Sequence, residues 1–398
     1  VPSTALSFRE ARDAVVRQLS AEIRKPASLP IDLEAADGRV LAQDVYADRD
    51  YPTLDRSARD GFAVRSADMP GRVRVTGEVR AGESFSGSVQ PGEAVEVMTG
   101  APVPAGADTI VMVEHVERDG DFITYRADAP LGQFINQRGG ESPAGSLLLS
   151  AGVRLGFPEI GLLAAVGCAH PEVFAQPHVS IIATGDELVA PDQHPEPHQI
   201  RNSNAYSLAS QVRRAGGIPK ILAVARDDEA ETRDLIEAGL QADLLLLSGG
   251  VSAGKYDVVE GALRSLGAQF FFDRVAIQPG QPLVFGRARE RFFFGLPGNP
   301  ASTMVTFELF ARTALEMLGG QPAREPVFLE ATLTRNFRHR PGLTRFLPAS
   351  VSPAGELTPI AWTGSSDIAA MTRANAWMMI DPDRAEWTVG DKLPVILI

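Results

Sequence analysis

The sequence predicts a multi-domain α/β and β chain: a central doubly wound α/β domain, a β-rich insertion before it and a β-rich segment after it. Three observations carry this. Between residues 176 and 324 apolar strands alternate with amphipathic helices. Each of three such strands empties into a glycine-, serine- or proline-rich loop. The flanking segments instead hold short β-rich pieces punctuated by glycine and proline. At 398 residues the chain also exceeds what one hydrophobic core holds.

Taken in order, Ser7-x-x-Glu10 opens the first helix as a capping box, with Phe8, Val15, Leu19 and Ile23 near helical spacing. Pro26 and Pro30 bound it. Residues 73–79, 94–98, 109–113 and 122–125 read as strands of a compact all-β insertion, and 151–166 returns to helix-like content. Residues 179–183 form a strand that ends in Thr184-Gly185-Asp186-Glu187-Leu188. A helix over 204–215 stops at Gly216-Gly217, and a strand over 220–225 and a helix over 229–241 follow. The apolar run from Leu244 enters Ser248-Gly249-Gly250-Val251-Ser252-Ala253-Gly254, which Asp257 closes. The strand 292–296 is followed by Pro297-Gly298-Asn299-Pro300, where Asn299 suits an N-cap and Pro300 the first position of a helix to Leu318. Residues 327–333, 377–380 and 393–398 are β-rich again.

Open α/β sheets bind ligands at the carboxyl ends of their strands, where all three polar loops fall. A Gly/Ser loop there leaves backbone N–H groups open to an anion, because no Cβ blocks the approach. A plain surface connection has the same composition, but three such loops in one unit favour a shared crevice for a phosphate or oxyanion. Asp60, Asp186, Glu187, Asp227 and Asp257 are candidates for Mg2+, which takes one or two carboxylates plus ligand phosphates. Asp60-Gly61 is a strong turn signal, and a solvated turn is its plain reading.

Composition narrows the function classes. A net charge of −12 argues against general nucleic-acid binding. No apolar run approaches the roughly 20 residues of a membrane span. The six histidines show no metal-ligand spacing. The one cysteine, Cys168, lies in an apolar stretch and reads as a buried structural thiol rather than a nucleophile. It leaves no internal disulfide, and with no signal peptide visible a cytoplasmic location is expected.

Five motifs in order run through nearly the whole chain. They are Asp60-Gly61-Phe62-Ala63, Met98-Thr99-Gly-Ala-Pro-Val-Pro104, Ala183-Thr184-Gly185-Asp186-Glu187-Leu188, Ser248-Gly249-Gly250-Val-Ser252-x-Gly254-x-x-Asp257 and Gly295-Leu-Pro297-Gly-Asn299-Pro300-Ala-Ser302. Together they resemble the MoeA / gephyrin E-domain family of molybdenum-insertion enzymes. The resemblance implies an elongated homodimer of four-subdomain chains. A discontinuous linker domain (1–45 and 147–175) carries the β-rich insertion (46–146). A molybdopterin-binding α/β domain (176–324) and a C-terminal β barrel (325–398) follow.

It also implies a reaction: adenylylated molybdopterin and molybdate give molybdenum cofactor and AMP, with Mg2+. By position, Ser248, Gly249, Gly250, Ser252 and Gly254 would hold the pterin's phosphate, and Asp257 with Asp186 and Glu187 the cation. Glu187 and Asp227 would assist with cation or pterin. Thr184, Gly185, Asp186, Arg274, Gln278, Gln281 and Ser302 would meet substrate, and Pro297, Asn299 and Pro300 would shape the floor. Asp60 and Thr99 would reach from one subunit's insertion toward the other's crevice, completing a catalytic set with Glu187, Asp227 and Asp257. The implied partners are a second copy, the pterin and oxyanion, and an upstream adenylyltransferase, with neither nucleic acid nor membrane.

The chain departs from the family pattern where charge matters. A Lys-Pro-Gly-Lys-Pro turn becomes Gln278-Pro279-Gly280-Gln281-Pro282. Ser142 replaces an aspartate, and Arg59 a methionine. Gly-Arg-x-Glu-Phe-x-Arg becomes Gly342-Leu343-Thr344-Arg345-Phe346-Leu347-Pro348. Charge-assisted hydrogen bonds are about twice as strong as neutral ones. Oxyanion binding therefore weakens unless Arg59, Arg138, Lys255 or Arg345 supplies the charge. The expectation is a transferase with an atypical molybdate pocket. The alternative is a diverged, weakly active or inactive paralogue acting as a pterin- or protein-binding dimer.

Overall fold

The structure, a computed structural model, describes residues 5–226, 228–250 and 258–398. Its chain forms two units. One holds Val1–Pro30, Gly38–Ala42 and Glu172–Ile398, the other Ile31–Asp37 and Gln43–Pro171.

In the first unit the Leu244–Ser248 strand is buried at every residue and runs parallel between His178–Ala183 and Arg291–Leu296. Its unbroken apolar run reflects burial on both faces. Leu244 and Leu246 join Val179, Ile181 and Phe294 in one apolar cluster; Leu245 and Leu247 join Ile182 and Phe293 in another. The first cluster includes residues of helices Phe8–Glu22 and Asn204–Arg214, the second those of Glu229–Gly239 and Val258–Ser265. The sheet is thus wound on both sides.

Ile218–Ile221 flanks the parallel part, a shorter and earlier strand than the sequence suggests. On the far side Val284–Ala288 and Gln269–Phe272 add an antiparallel ribbon that the sequence reading lacks. Phenylalanines carry that ribbon: the rings of Phe285 and Phe294 stack at 4.7 Å.

The capping box of the first helix is formed, with Ser7 N–H donating to Glu10 Oε2 at 2.8 Å and Glu10 N–H to Ser7 Oγ at 3.2 Å. Arg12 on this helix is buried and donates to Thr313 Oγ1 at 3.0 Å and to the Arg324 carbonyl at 3.0 Å. The long C-terminal helix of the α/β sheet is Pro300–Thr306 and Arg312–Leu318 joined by a π-helical stretch, Phe307–Ala311. Asn299 has N-cap backbone geometry, yet its side chain makes no cap bond. Thr303 Oγ1 donates instead to the Pro297 carbonyl at 2.6 Å.

Beyond it a β barrel closes, because Thr344–Val351 pairs with both Glu356–Pro359 and Ala376–Ile380 while Leu329–Leu333 and Lys392–Leu397 complete the ring. Ile277–Gln278 lies parallel to the start of Thr344–Val351, with Gln278 opposite Arg345.

The second unit holds a six-stranded sheet ordered Thr109–Met112, Gly61–Val64, Glu93–Val97, Gly71–Val79, Phe122–Tyr125 and Val116–Asp119. Gly61 corrects the turn reading of Asp60-Gly61. It is a buried strand residue, and a Cβ there would lie 2.0 Å from the Val111 carbonyl oxygen. Glycine is needed for close backbone approach, not for a turn. Among the described residues no helix is long and apolar enough to cross a membrane.

Candidate functional site

Three loops at the carboxyl ends of the central strands are tied together by backbone hydrogen bonds. Thr184 N–H donates to the Ser248 carbonyl at 3.0 Å, and Gly249 N–H to the Leu296 carbonyl at 3.1 Å. Gly249 and Gly250 have φ of 92° and 59°. A Cβ on Gly249 would meet the Thr184 carbonyl oxygen at 2.9 Å, and one on Gly250 would meet Thr184 Oγ1 at 2.7 Å. Backbone conformation and proximity both demand glycine here. Asn204, at the start of its helix, binds a third pair: its Nδ2 donates to Ser248 Oγ at 3.0 Å and to the Gly298 carbonyl at 2.7 Å.

These loops line one crevice of about 1150 Å³, with Thr184, Gly185, Glu187, Ser248, Gly249 and Gly250 on its wall. Gln278, Pro297, Asn299, Pro300 and Ser302 line it too. Asp186, Arg274 and Gln281 are exposed and are not among its lining residues. The Gln281 carbonyl faces inward, accepting from Val275 N–H and Leu283 N–H at 3.0 Å each. Asp227, Ser252, Gly254, Lys255 and Asp257 lie outside the described residues.

Several N–H groups that an anion could use are already engaged. Gly249 N–H is taken by Leu296, and Ala301 N–H, at the helix start, donates to the Ser365 carbonyl at 2.9 Å. Thr184 Oγ1 and Asn204 Oδ1 are buried without a partner among the described residues. Both residues line the crevice, so a ligand or water there would satisfy them.

Charge in the crevice is sparse. Glu187 is its lining carboxylate among the described residues and folds over Gly185, where a Cβ would lie 2.3 Å from Oε2. Arg201 and Arg226 are its lining cations among the described residues. The Arg226 guanidinium donates to the Asp186 carbonyl at 3.0 Å. Paired in register with Gln278, Arg345 is 6% exposed, donates to the Arg340 carbonyl at 3.1 Å and leaves Nε without a partner among the described residues. Burial and then the Arg345 charge push the neighbouring His339 below its ordinary pKa. Among the described residues no group of three His, Cys, Asp or Glu is placed to hold a metal.

Asp60 and Thr99 lie in the second unit. Thr99 donates to one Asp60 oxygen from its N–H at 2.6 Å and from its hydroxyl at 3.0 Å. The backbone bond, then the hydroxyl, hold the Asp60 carboxyl below its ordinary value. Thr99 lines a pocket of about 500 Å³ with Arg49, Arg56, Asn136 and Glu141. Arg138 is engaged by Asp50 at 2.6 Å, and Arg59 lies 6.0 Å from the Phe134 ring centre. Cys168 is half-buried rather than buried as the sequence suggests, and that partial burial pushes its thiol pKa up.

Family comparison completes the picture. Residues 6–167 match the "MoeA N-terminal region (domain I and II)", 180–317 the "Probable molybdopterin binding domain" and 330–398 the "MoeA C-terminal region (domain IV)". The chain belongs to the MoeA family. It is 34% identical over 383 residues to a Bacillus subtilis (strain 168) protein named molybdopterin molybdenumtransferase, covering 92% of this chain and 89% of that one. It is 35% identical over 387 residues to molybdopterin molybdenumtransferase 2 of Mycobacterium tuberculosis (strain H37Rv), covering 93% and 95%. The structure of a Pyrococcus horikoshii OT3 molybdopterin biosynthesis moeA protein superposes with a TM-score of 0.82 at 28% identity, covering 99% of this chain and all of that one.

As a MoeA-family crevice, the site contains residues that sequence reasoning missed. Arg201, Arg226 and Asn204 precede or begin helices, and Trp362, Gly364, Ser365, Ser366 and Ile368 enter from the barrel region. Asn204 had a local signal in its place at a helix start opposite two glycine-rich loops. The 362–368 segment had none.

Two outcomes test this geometry. Asn204→Ala removes the donor shared by Ser248 and Gly298, so urea unfolding should show a loss of about 1 kcal/mol or more; an unchanged midpoint contradicts the clamp. Thr99→Val keeps the backbone donor but removes the hydroxyl. Asp60 should then titrate closer to its ordinary 3.8 without reaching it, read by carboxyl-carbon NMR. In wild type this contact stabilises above the ordinary carboxyl pKa and is lost as pH falls through the depressed one. An unmoved midpoint contradicts the assigned cause.

Proposed function

We propose that this chain inserts molybdenum: adenylylated molybdopterin and molybdate are converted to molybdenum cofactor and AMP. The observation that carries the proposal is the single crevice shared by the Thr184, Ser248 and Pro297 loops, within a domain that matches a molybdopterin-binding family. Its relatives named molybdopterin molybdenumtransferase support the same chemistry.

In this proposal the Thr184 hydroxyl and the Gly250 backbone hold the phosphate, Gly249 keeps the loop close to Thr184, and Ser248, Asn299 and Ser302 bound the ligand's position. Glu187 suits Mg2+, since that ion takes one or two carboxylates and completes its shell with phosphate oxygens and water. Asp186, Asp227 and Asp257 join the proposal on sequence alone. When bound, Mg2+ would offset negative charge on the diphosphate. A second copy of the chain would bring Asp60 and Thr99 to the crevice. An upstream adenylyltransferase would supply the substrate in the cytoplasm, where a chain with one cysteine is at home.

The oxyanion pocket is proposed to be atypical. Arg345 supports this: it is a buried cation on the strand residue paired with Gln278, its guanidinium held at the Arg340 carbonyl, in a neighbourhood where the two glutamines carry no charge. Those glutamines equally favour a second reading, a paralogue of low activity that acts as a pterin- or protein-binding dimer. Complementation of a bacterium lacking molybdenum insertion separates the two, rescue supporting the enzyme and failure at every molybdate level the binding module. Gln278→Lys with Gln281→Lys should lower the molybdate needed for rescue by about tenfold, equivalent to ~1.4 kcal/mol. An unchanged requirement contradicts the pocket assignment.

A further inference from the structure

The crevice is far larger than a phosphate requires. At about 1150 Å³ it exceeds the roughly 300–1,000 Å³ typical of small-molecule sites. Most of its described lining is glycine, serine, threonine, asparagine and proline, which suit phosphate and polar edges, and Leu188, Ile200, Val258, Val259 and Ile368 add aliphatic surface without a flat face. Trp362 is the exception, the one aromatic side chain among the described lining residues. Its ring is partly buried and packs against the barrel's apolar cluster, so the indole is held in place before any ligand arrives. Gly364, Ser365 and Ser366 of the same segment also line the crevice. The Ser365 carbonyl accepts Ala301 N–H at 2.9 Å, which anchors the segment to the helix that follows the Pro297 loop.

A flat, nitrogen-rich fused heterocycle gains most from an aromatic face that is already fixed. We propose that Trp362 is the ring platform of the crevice, its indole stacking on a fused heterocycle of the ligand whose phosphate meets the strand-end loops. This rests on the proposed function, whose substrate carries two such rings, a pterin and an adenine. Stacking on an aromatic side chain changes affinity by about ten- to a hundredfold per ring. Phenylalanine keeps an aromatic face at 362, whereas leucine keeps only apolar volume.

The test uses the full chain and two probes, AMP and neopterin, titrated separately by calorimetry into wild type, Trp362→Phe and Trp362→Leu. A second readout needs no variant. Of the chain's three tryptophans, Trp377 and Trp387 are 3% and 4% exposed, so a ligand in the crevice perturbs chiefly the Trp362 emission. We expect at least one probe to alter wild-type emission, to bind Trp362→Leu about tenfold or more weakly, and to bind Trp362→Phe within about threefold of wild type. Loss confined to AMP identifies adenine as the stacked ring, and loss confined to neopterin identifies the pterin. Equal binding of both probes to wild type and Trp362→Leu overturns the platform, as does calorimetric binding without any change in wild-type emission. If wild type binds neither probe, the proposed function fails, and the platform falls with it.

Discussion

Close approach of backbone to backbone at the carboxyl ends of three strands is the constraint on which the rest of the site depends. Thr184, Ser248, Gly249 and Leu296 exchange main-chain hydrogen bonds across strand ends. Their spacing leaves no room for a Cβ at 249 or 250, and both residues have positive φ. A side chain would force the loops apart and leave buried N–H and carbonyl groups unpaired. The fully buried strands beneath make this arrangement rigid, since Leu244–Ser248 is packed on both faces. Asn204 extends the tie to Gly298 through a side chain, so one helix start helps fix two loops.

The electrostatics follow from what this framework leaves open. Gly249 and Ala301 spend their N–H groups within the protein, so the helix start at Pro300 is less of an anion site than its sequence suggests. What remains is Thr184 Oγ1, Asn204 Oδ1, the arginines at 201 and 226, and the Glu187 carboxylate. Arg345 adds a buried cation one strand away from Gln278. A protein of net charge −12 thus places local positive charge at and near this crevice. That pattern fits a small anionic ligand and not a polyanion.

Much of the framework was legible because it is local. Apolar runs marked the buried parallel strands, and Gly-Gly after Leu244–Ser248 marked the loop that needs positive φ. Ser7 and Glu10 announced the first helix. The antiparallel ribbon was not legible: Gln269–Phe272 and Val284–Ala288 are short, phenylalanine-rich runs whose pairing depends on contacts outside either segment. Asp60-Gly61 misled because glycine serves close approach as well as turns, and only the Val111 carbonyl shows which applies. Trp362 and Ser365 were invisible for another reason. They lie about 60 residues beyond the Pro297 loop, and barrel closure alone brings them to the crevice.

The most direct measurement is a crystal structure of this chain with AMP. The account predicts that the phosphate oxygens sit within about 2.7–3.2 Å of Thr184 Oγ1 or Gly250 N–H, inside the crevice bounded by Ser248 and Pro297. A phosphate bound away from the strand-end loops, with Thr184 Oγ1 still unpartnered, would contradict it.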